Sequence, residues 1–239
     1  MARSSEELDF LRTYDPGSFE RPSVAVDVVL LTVRDGAMWT LLYQRTEHPD
    51  RGRYALPGGF VGIEESLEDA VARQLKAKAA VEGVFVEQLY TFGAPDRDPR
   101  MRIIAAAHYA LVPAAVFDGA TGLQGRVRVP WEGEVGGPVE VLDGDGDPYP
   151  LAFDHADMLG LAVQRIRGKL SYVPIAFELL PASFTLLEAR RVYEAIWGRD
   201  LNKDSFRKTL LGSGLIEATG ERQSGVGHRP AALYRRWEA

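Results

Sequence analysis

The chain has 239 residues, with 28 Lys/Arg against 34 Asp/Glu, a formal net charge of −6 and no cysteine. That composition excludes disulfides, thiolate metal sites and a thiol nucleophile. No apolar run reaches membrane-spanning length and the first ten residues are charged rather than signal-like, so a soluble cytoplasmic protein is expected. A hydrophobic fraction of 46% supports a buried core. The charge is uneven. Residues 1–160 hold 15 basic against 26 acidic side chains, whereas residues 161–239 hold 13 against 8, the pattern of two modules with different partners.

In chain order, residues 1–22 read as a polar arm with a short helix. Residues 23–33 (SVAVDVVLLTV) are rich in β-branched side chains and predict a buried strand, turned at Arg34-Asp35-Gly36 into a returning strand over 39–45. A loop at 50–53 leads through Leu56-Pro57-Gly58-Gly59 into a helix predicted over 66–80. Ser66 and Asp69 form its capping box, Glu65, Asp69 and Arg73 share one face, and Gly83 is the stop. Strands follow at 84–92 and 101–113, with a loop at 93–100 carrying Arg97 and Arg100 between them. Residues 118–150 hold eight of the 24 glycines and four prolines, and read as an irregular insertion around a short strand near 139–142.

A helix is expected over 154–167, with Asp154 as N-cap and Gly168 as terminator. Thr185 and Glu188 then make a second capping box, opening a helix that closes at Gly198. A short link leads to a helix over 203–211, and strands at 215–219 and 232–236 flank the tip Gly225-Val226-Gly227. Helix, turn, helix, hairpin is the order of a winged helix-turn-helix. Its DNA-contact candidates are Lys203, Ser205, Arg207 and Lys208 on the second helix, with Arg222, His228 and Arg229 on the wing. Phe206 and Leu210 face its core.

The front loop–helix resembles the Nudix box, G-x5-E-x7-R-E-U-x-E-E-x-G-U. Gly59, Glu65 and Arg73 stand at that spacing, with Leu75 and Val81 at aliphatic positions. Gln74 replaces the Glu after the arginine, Ala77 and Lys78 replace the paired Glu, and Ala80 replaces the last Gly. The resemblance implies a mixed α/β Nudix-type α/β/α sandwich. In such enzymes the paired glutamates hold divalent metals, which alanine cannot ligate and lysine repels. The front module therefore reads as a diphosphate-binding, catalytically defective domain with no metal and no cofactor. Lys78 is read as a salt-bridged surface lysine, with substitution for metal charge against the ligand's phosphates as the alternative. Effector contacts are assigned to Arg45, Arg53, Gly58, Gly59, Arg97 and Arg100 for phosphates, and to Phe92 and Phe153 for stacking on a base. Surface ion pairing and core packing are the alternatives for these arginines and aromatics. His108 is read as structural and His155 as a cap or packing residue.

Taken whole, the chain resembles the NrtR family of Nudix-related transcriptional regulators. The likeness runs from Arg21-Pro22-Ser23-Val24 and Tyr54-Ala55-Leu56-Pro57-Gly58-Gly59 through Arg97-Asp98-Pro99-Arg100 and Leu151-Ala152-Phe153-Asp154-His155. It continues in Phe177-Glu178-Leu179-Leu180-Pro181, Val192-Tyr193-Glu194-Ala195-Ile196 and Gly227-His228-Arg229-Pro230-Ala231. It implies an effector domain over 1–153, and a linker helix with the DNA-binding domain over 154–239. It also implies a homodimeric repressor of NAD-biosynthesis or salvage genes. Such a repressor holds a pseudo-palindromic double-stranded operator until ADP-ribose or a related metabolite binds between the modules. The alternatives are a pyrophosphatase acting on ADP-ribose or a nucleotide sugar, a sugar-metabolism regulator of the same family, and a scaffold whose tail binds protein.

Overall fold

The computed structural model describes residues 4–225, 227 and 229–237. Alternation along β1 (Ser23–Arg34) lays out its first module. Val26, Val28 and Leu30 point to one face of the strand, Val29, Leu31 and Val33 to the other, and all six are buried. A strand buried on both sides sits in the middle of a sheet. β1 runs parallel to β6 (Ile103–Leu111) and antiparallel to β2 (Ala37–Gln44). β5 (Phe85–Phe92) lies outside β6, and β4 (Gly58–Phe60) pairs with the start of β1. The short β3 (Tyr54–Ala55) pairs with β2. Before β1 an arm helix, α1 (Ser5–Thr13), buries no residue.

Helix α2 (Leu67–Gln74) covers one face through Ala70 and Val71. Each fully buried aliphatic side chain there is worth roughly 1.5–3 kcal/mol. The Ser66–Asp69 capping box forms as expected. Glu65 lies in the turn before the helix rather than on it, and still reaches Arg73. The end differs too. The last turn widens into a π-turn over Leu75–Ala79 and stops at Ala80, in the left-handed region at φ 56. Gly83 is not the stop. An alanine took the left-handed position that a glycine normally marks, so the sequence signal pointed three residues late.

Residues 118–150 are mostly irregular, as expected, but hold a second strand beside the one near 139–142. After a short helix, α3 (Ala114–Asp118), β7 (Leu123–Arg128) pairs with β2, and β8 (Glu140–Leu142) pairs with β7. Gly125 and Val127 point inward on β7. A glycine at one of its two inward positions hid the alternation from a hydrophobic reading.

The other face is covered by α4 (His155–Lys169), through Met158, Leu159, Ala162, Val163 and Ile166. Gly168 lies inside this helix and Leu170 caps it. The same apolar cluster continues into α5 (Leu186–Trp197). Arg167 ties the two helices. Only 3% exposed, it donates from Nε to the Ile196 carbonyl in the last turn of α5 at 2.7 Å. Its Nη1 donates to the carbonyls of Trp131 and Gly133, and the guanidinium lies 4.7 Å over the Trp131 ring. Among the described residues no carboxylate stands within 4.0 Å of it.

The Thr185–Glu188 capping box opens α5, worth about 1 kcal/mol, and Gly198 closes it at φ 70. Asn202 caps α6 (Lys203–Gly212), and β9 (Ile216–Arg222) pairs with β10 (Ala232–Arg236) as a wing. Among the described residues no helix is long and apolar enough to cross a membrane.

Candidate functional site

Pocket walls come from six places around the first module. The start of β1 contributes Asp27, and β4 contributes Gly58, Gly59 and Phe60. The π-turn contributes Lys78. The loop before β6 contributes Arg97, Asp98 and Arg100, and the approach to α4 contributes Phe153 and His155, with Arg45 just past β2. The cleft encloses about 110 Å³, the scale of a diphosphate group rather than a whole dinucleotide. Its lining holds Arg45, Lys78, Arg97 and Arg100 against Asp27 and Asp98. That surplus of positive charge in a partly enclosed space suits a phosphorylated ligand.

Of the eight predicted effector contacts, Arg45, Gly58, Gly59, Arg97, Arg100 and Phe153 line this cleft, and Arg53 and Phe92 do not. Arg53 donates to the Leu151 carbonyl at 3.2 Å and lies 3.7 Å from Asp50. Phe92 packs on the main core and meets Tyr90 edge-on at 5.4 Å. The cleft lies in the first module and is closed on one side by His155, at the start of the helix that leads into the second. Asp27 escaped the sequence reading, although a lone acid inside SVAVDVVLLTV is the signal that could have found it.

Close packing sets the glycines. A Cβ on Gly58 would meet Asp27 Oδ1 at 2.1 Å and the Val26 carbonyl at 2.6 Å, and one on Gly59 would meet the Gln74 amide at 2.4 Å. Gly58, against backbone, has no room for a side chain, and one at Gly59 would require the Gln74 amide to move.

What survives of the Nudix box is structural. Arg73 Nε donates to Glu65 Oε2 at 3.0 Å, its Nη2 donates to Glu65 Oε1 and to the Phe60 carbonyl, and the Gly62 amide donates to Glu65. The Arg73 and Gly62 hydrogen bonds hold the Glu65 carboxyl down at about 2. Both Glu65 oxygens are therefore engaged in closing the loop. The surrounding donors and acceptors assign the Gln74 amide nitrogen to the side facing the Gly58 carbonyl (3.0 Å) and its oxygen to the side facing Arg73 Nη1 (2.8 Å).

Lys78 is not a salt-bridged surface residue. It is half-buried, its Nζ donates to the Gly58 carbonyl, and no carboxylate among the described residues stands within ion-pair distance. Burial pushes its pKa down, and the field of Asp27 partly offsets this.

Each arginine on the wall is already oriented. Arg97 makes two hydrogen bonds to Asp154, 2.8 Å from Nε and 2.6 Å from Nη2, and lies 3.8 Å from Asp27. Asp154 occupies the N-cap position of α4 but makes no cap hydrogen bond; its carboxylate is turned to Arg97 instead. Arg100 pairs with Asp98 at 2.7 and 3.0 Å. Arg45 lies 4.6 Å over the Phe153 ring. The Leu56 amide donates to His155 Nδ1 at 2.9 Å, which puts the ring proton on Nε2, facing Asp27 Oδ1 at 3.8 Å. His155 is thus a pocket wall as well as a packing residue.

A larger cleft of about 410 Å³ lies between α2 and β5, lined by Val71, Leu75, Val81, Val86 and His108. Its two cations are paired, Arg73 with Glu65 and Lys76 with Glu82, and Glu68 and Glu82 line the same cleft, so it carries no surplus of positive charge for an anion. The charged cleft is the better ligand site despite its smaller volume.

In the second module Phe206 turns inward against Tyr193, ring centroids 5.3 Å apart, and Leu210 is buried. Lys203, Ser205, Arg207 and Lys208 are exposed on α6. Among the described residues none of these three cations has a carboxylate within 4.0 Å, whereas Arg235 and Arg236 are paired with Glu217 and Glu178. Arg222 and Arg229 are exposed on the wing, with Arg222 Nη1 on the Pro230 carbonyl at 3.1 Å. His228 lies outside the described residues.

Comparison with known proteins agrees with both modules. The NUDIX domain profile matches residues 21–134 and the profile of the NrtR DNA-binding winged helix domain matches residues 176–236. An ADPR-responsive transcriptional repressor, NtrR, from Acinetobacter baylyi is 33% identical over 233 residues, covering 97% of this chain and 88% of its own. This chain belongs to the NrtR family. Shewanella oneidensis NrtR, solved with a 27mer DNA, superposes with a TM-score of 0.71 at 30% identity, over 90% of this chain and 93% of that one. The NUDIX domain of the same protein, solved with ADP ribose, superposes with a TM-score of 0.50 at 32% identity, over 67% of this chain and 98% of that one. Membership identifies α5, α6 and the wing as the family's DNA-binding winged helix.

Proposed function

We propose that this chain is a cytoplasmic, homodimeric transcriptional repressor of NAD-biosynthesis or salvage genes, and that ADP-ribose or a related metabolite binds the charged cleft and releases the operator without being hydrolysed. The observation that carries the reading is a cation-rich cleft without a set of acids to hold metal, joined to a recognition helix with three unpaired cations. The Acinetobacter relative's response to ADPR and the Shewanella structures with DNA and with ADP ribose support it. Two copies would set two α6 helices into successive major grooves of a pseudo-palindrome, about 34 Å apart. Lys203, Ser205, Arg207, Lys208, Arg222, His228 and Arg229 contact the DNA, while Arg45, Gly58, Gly59, Arg97, Arg100 and Phe153 contact the effector. Arg97 is the point of exchange: a bound diphosphate competes with Asp154 for its guanidinium and so acts on the start of α4, whose far end is anchored to α5.

The test is a gel shift on the promoter of an NAD-synthesis operon. The expected result is a specific complex at moderate salt, weakened at least tenfold by ADP-ribose, which requires a differential affinity of about 1.4 kcal/mol. A parallel turnover assay with ADP-ribose and Mg²⁺ or Mn²⁺ is expected to show none. Ordinary hydrolase rates, or the absence of a specific complex, would overturn the proposal.

A further inference from the structure

The Nudix fold implies a divalent cation, and the residues at its positions here do not fit one. Gln74 and Ala77 carry no charge, and Lys78 is cationic. Glu65 is tied by Arg73, and Asp98 by Arg100. Asp27 remains as a lone carboxylate on the lining, between Arg97 and His155. Among the described residues no three His, Asp or Glu side chains stand close enough together to hold an ion. A hard dication needs several oxygen ligands, and this set does not supply them.

We propose that the Lys78 ammonium stands in for the divalent cation, so that the cleft binds the diphosphate of its ligand independently of metal. The inference rests on the effector reading above. Lys78 Nζ faces the cleft and uses one donor on the Gly58 carbonyl; an ammonium has three, which leaves two for phosphate oxygens. Its position is fixed from behind. The Lys78 carbonyl, left without a helical partner where the π-turn ends, accepts from the Tyr43 hydroxyl and the Thr121 hydroxyl. From in front, the Gly58 carbonyl is held by the close packing of β4 on β1 described above. A lysine anchored at both ends delivers its charge as a metal would, without a ligand shell. Arg45, Arg97 and Arg100 on the same lining supply planar donors for the remaining oxygens.

Isothermal titration with ADP-ribose, in EDTA and in saturating Mg²⁺, tests this in the full-length protein. Wild type is expected to bind with the same affinity, within twofold, in both. Lys78→Gln keeps a donor but loses the charge, and is expected to bind at least tenfold more weakly in EDTA. Lys78→Arg stays within a few-fold of wild type. The unliganded melting temperature of both variants is measured alongside, and adenosine serves as a phosphate-free control. Wild-type binding that requires Mg²⁺ overturns the inference alone, as does Lys78→Gln binding at wild-type strength. An equal loss of affinity for adenosine also overturns it, because it would mark a distorted pocket. If wild type binds ADP-ribose under neither condition, the effector reading fails and takes this inference with it.

Discussion

His155 and His108 are both buried, and desolvation lowers the pKa of each from its ordinary 6.5. Asp27 and Asp154 partly offset this at His155, which Arg97 and Arg45 oppose; at His108 the Ala106 carbonyl and Glu68 partly offset it. The sign follows from proton counting. Below about pH 6.5 the unfolded chain takes up protons that the folded imidazoles refuse, so stability is full above that pH and falls as pH drops towards the depressed folded values. Protonation at Nδ1 would also remove the acceptor for the Leu56 amide. Denaturant unfolding at pH 7.5 and pH 5.5 should therefore show a lower midpoint in acid. A His108→Gln, His155→Gln double variant should show a flatter dependence. An equal slope in both proteins would mean that neither imidazole is kept neutral by the fold.

Helix α4 carries the second prediction, because its first residues face two ways. Asp154 is at the N-cap position, yet its carboxylate is given to Arg97. Arg97→Gln frees that carboxylate to rotate onto the amides of its own helix, so the loss should be modest, about 1–3 kcal/mol. Asp154→Ala has no such recourse. It leaves a guanidinium whose side chain is 5% exposed with only Asp27, at 3.8 Å, to compensate it, so the loss should approach the lower end of the broken-pair range, about 3 kcal/mol. Urea unfolding should rank Asp154→Ala below Arg97→Gln, and the reverse order would mean that Asp154 does not recover its cap. Most elements were legible in the sequence because period and punctuation agreed, as in β1, the two capping boxes and the helix pair of the tail. Legibility failed where a residue played against type. Ala80 took a glycine's left-handed stop, Gly125 broke the alternation of β7, and Gly168 was absorbed into a helix. The cleft was half legible. Glycine and arginine motifs pointed to it, but Asp27, Asp98 and His155 reach it only through the pairing of β4 on β1 and the docking of α4.

At the scale of the whole molecule, the uneven charge resolves into cations paired by the fold and, among the described residues, exposed cations on α6 without a carboxylate partner. Arg207→Ala should weaken operator binding and, if Arg207 meets a phosphate, lower the slope of log affinity against log salt by about 1. Arg235→Ala, which removes a residue paired with Glu217, should leave the slope unchanged; gel shifts across a salt series read both. The way the modules join sets a further limit on how the protein can respond. Arg167 is a buried cation held by three neutral carbonyls and a ring, with burial pushing its pKa down. Moving α5 a short way from α4 removes the Ile196 acceptor before there is room for water, and a dry, under-bonded charge costs several kcal/mol. The two helices are therefore expected to move as one body. A shift at the start of α4 then reaches the DNA-binding module without slack at the joint, so the two ends of the relay answer the effector together.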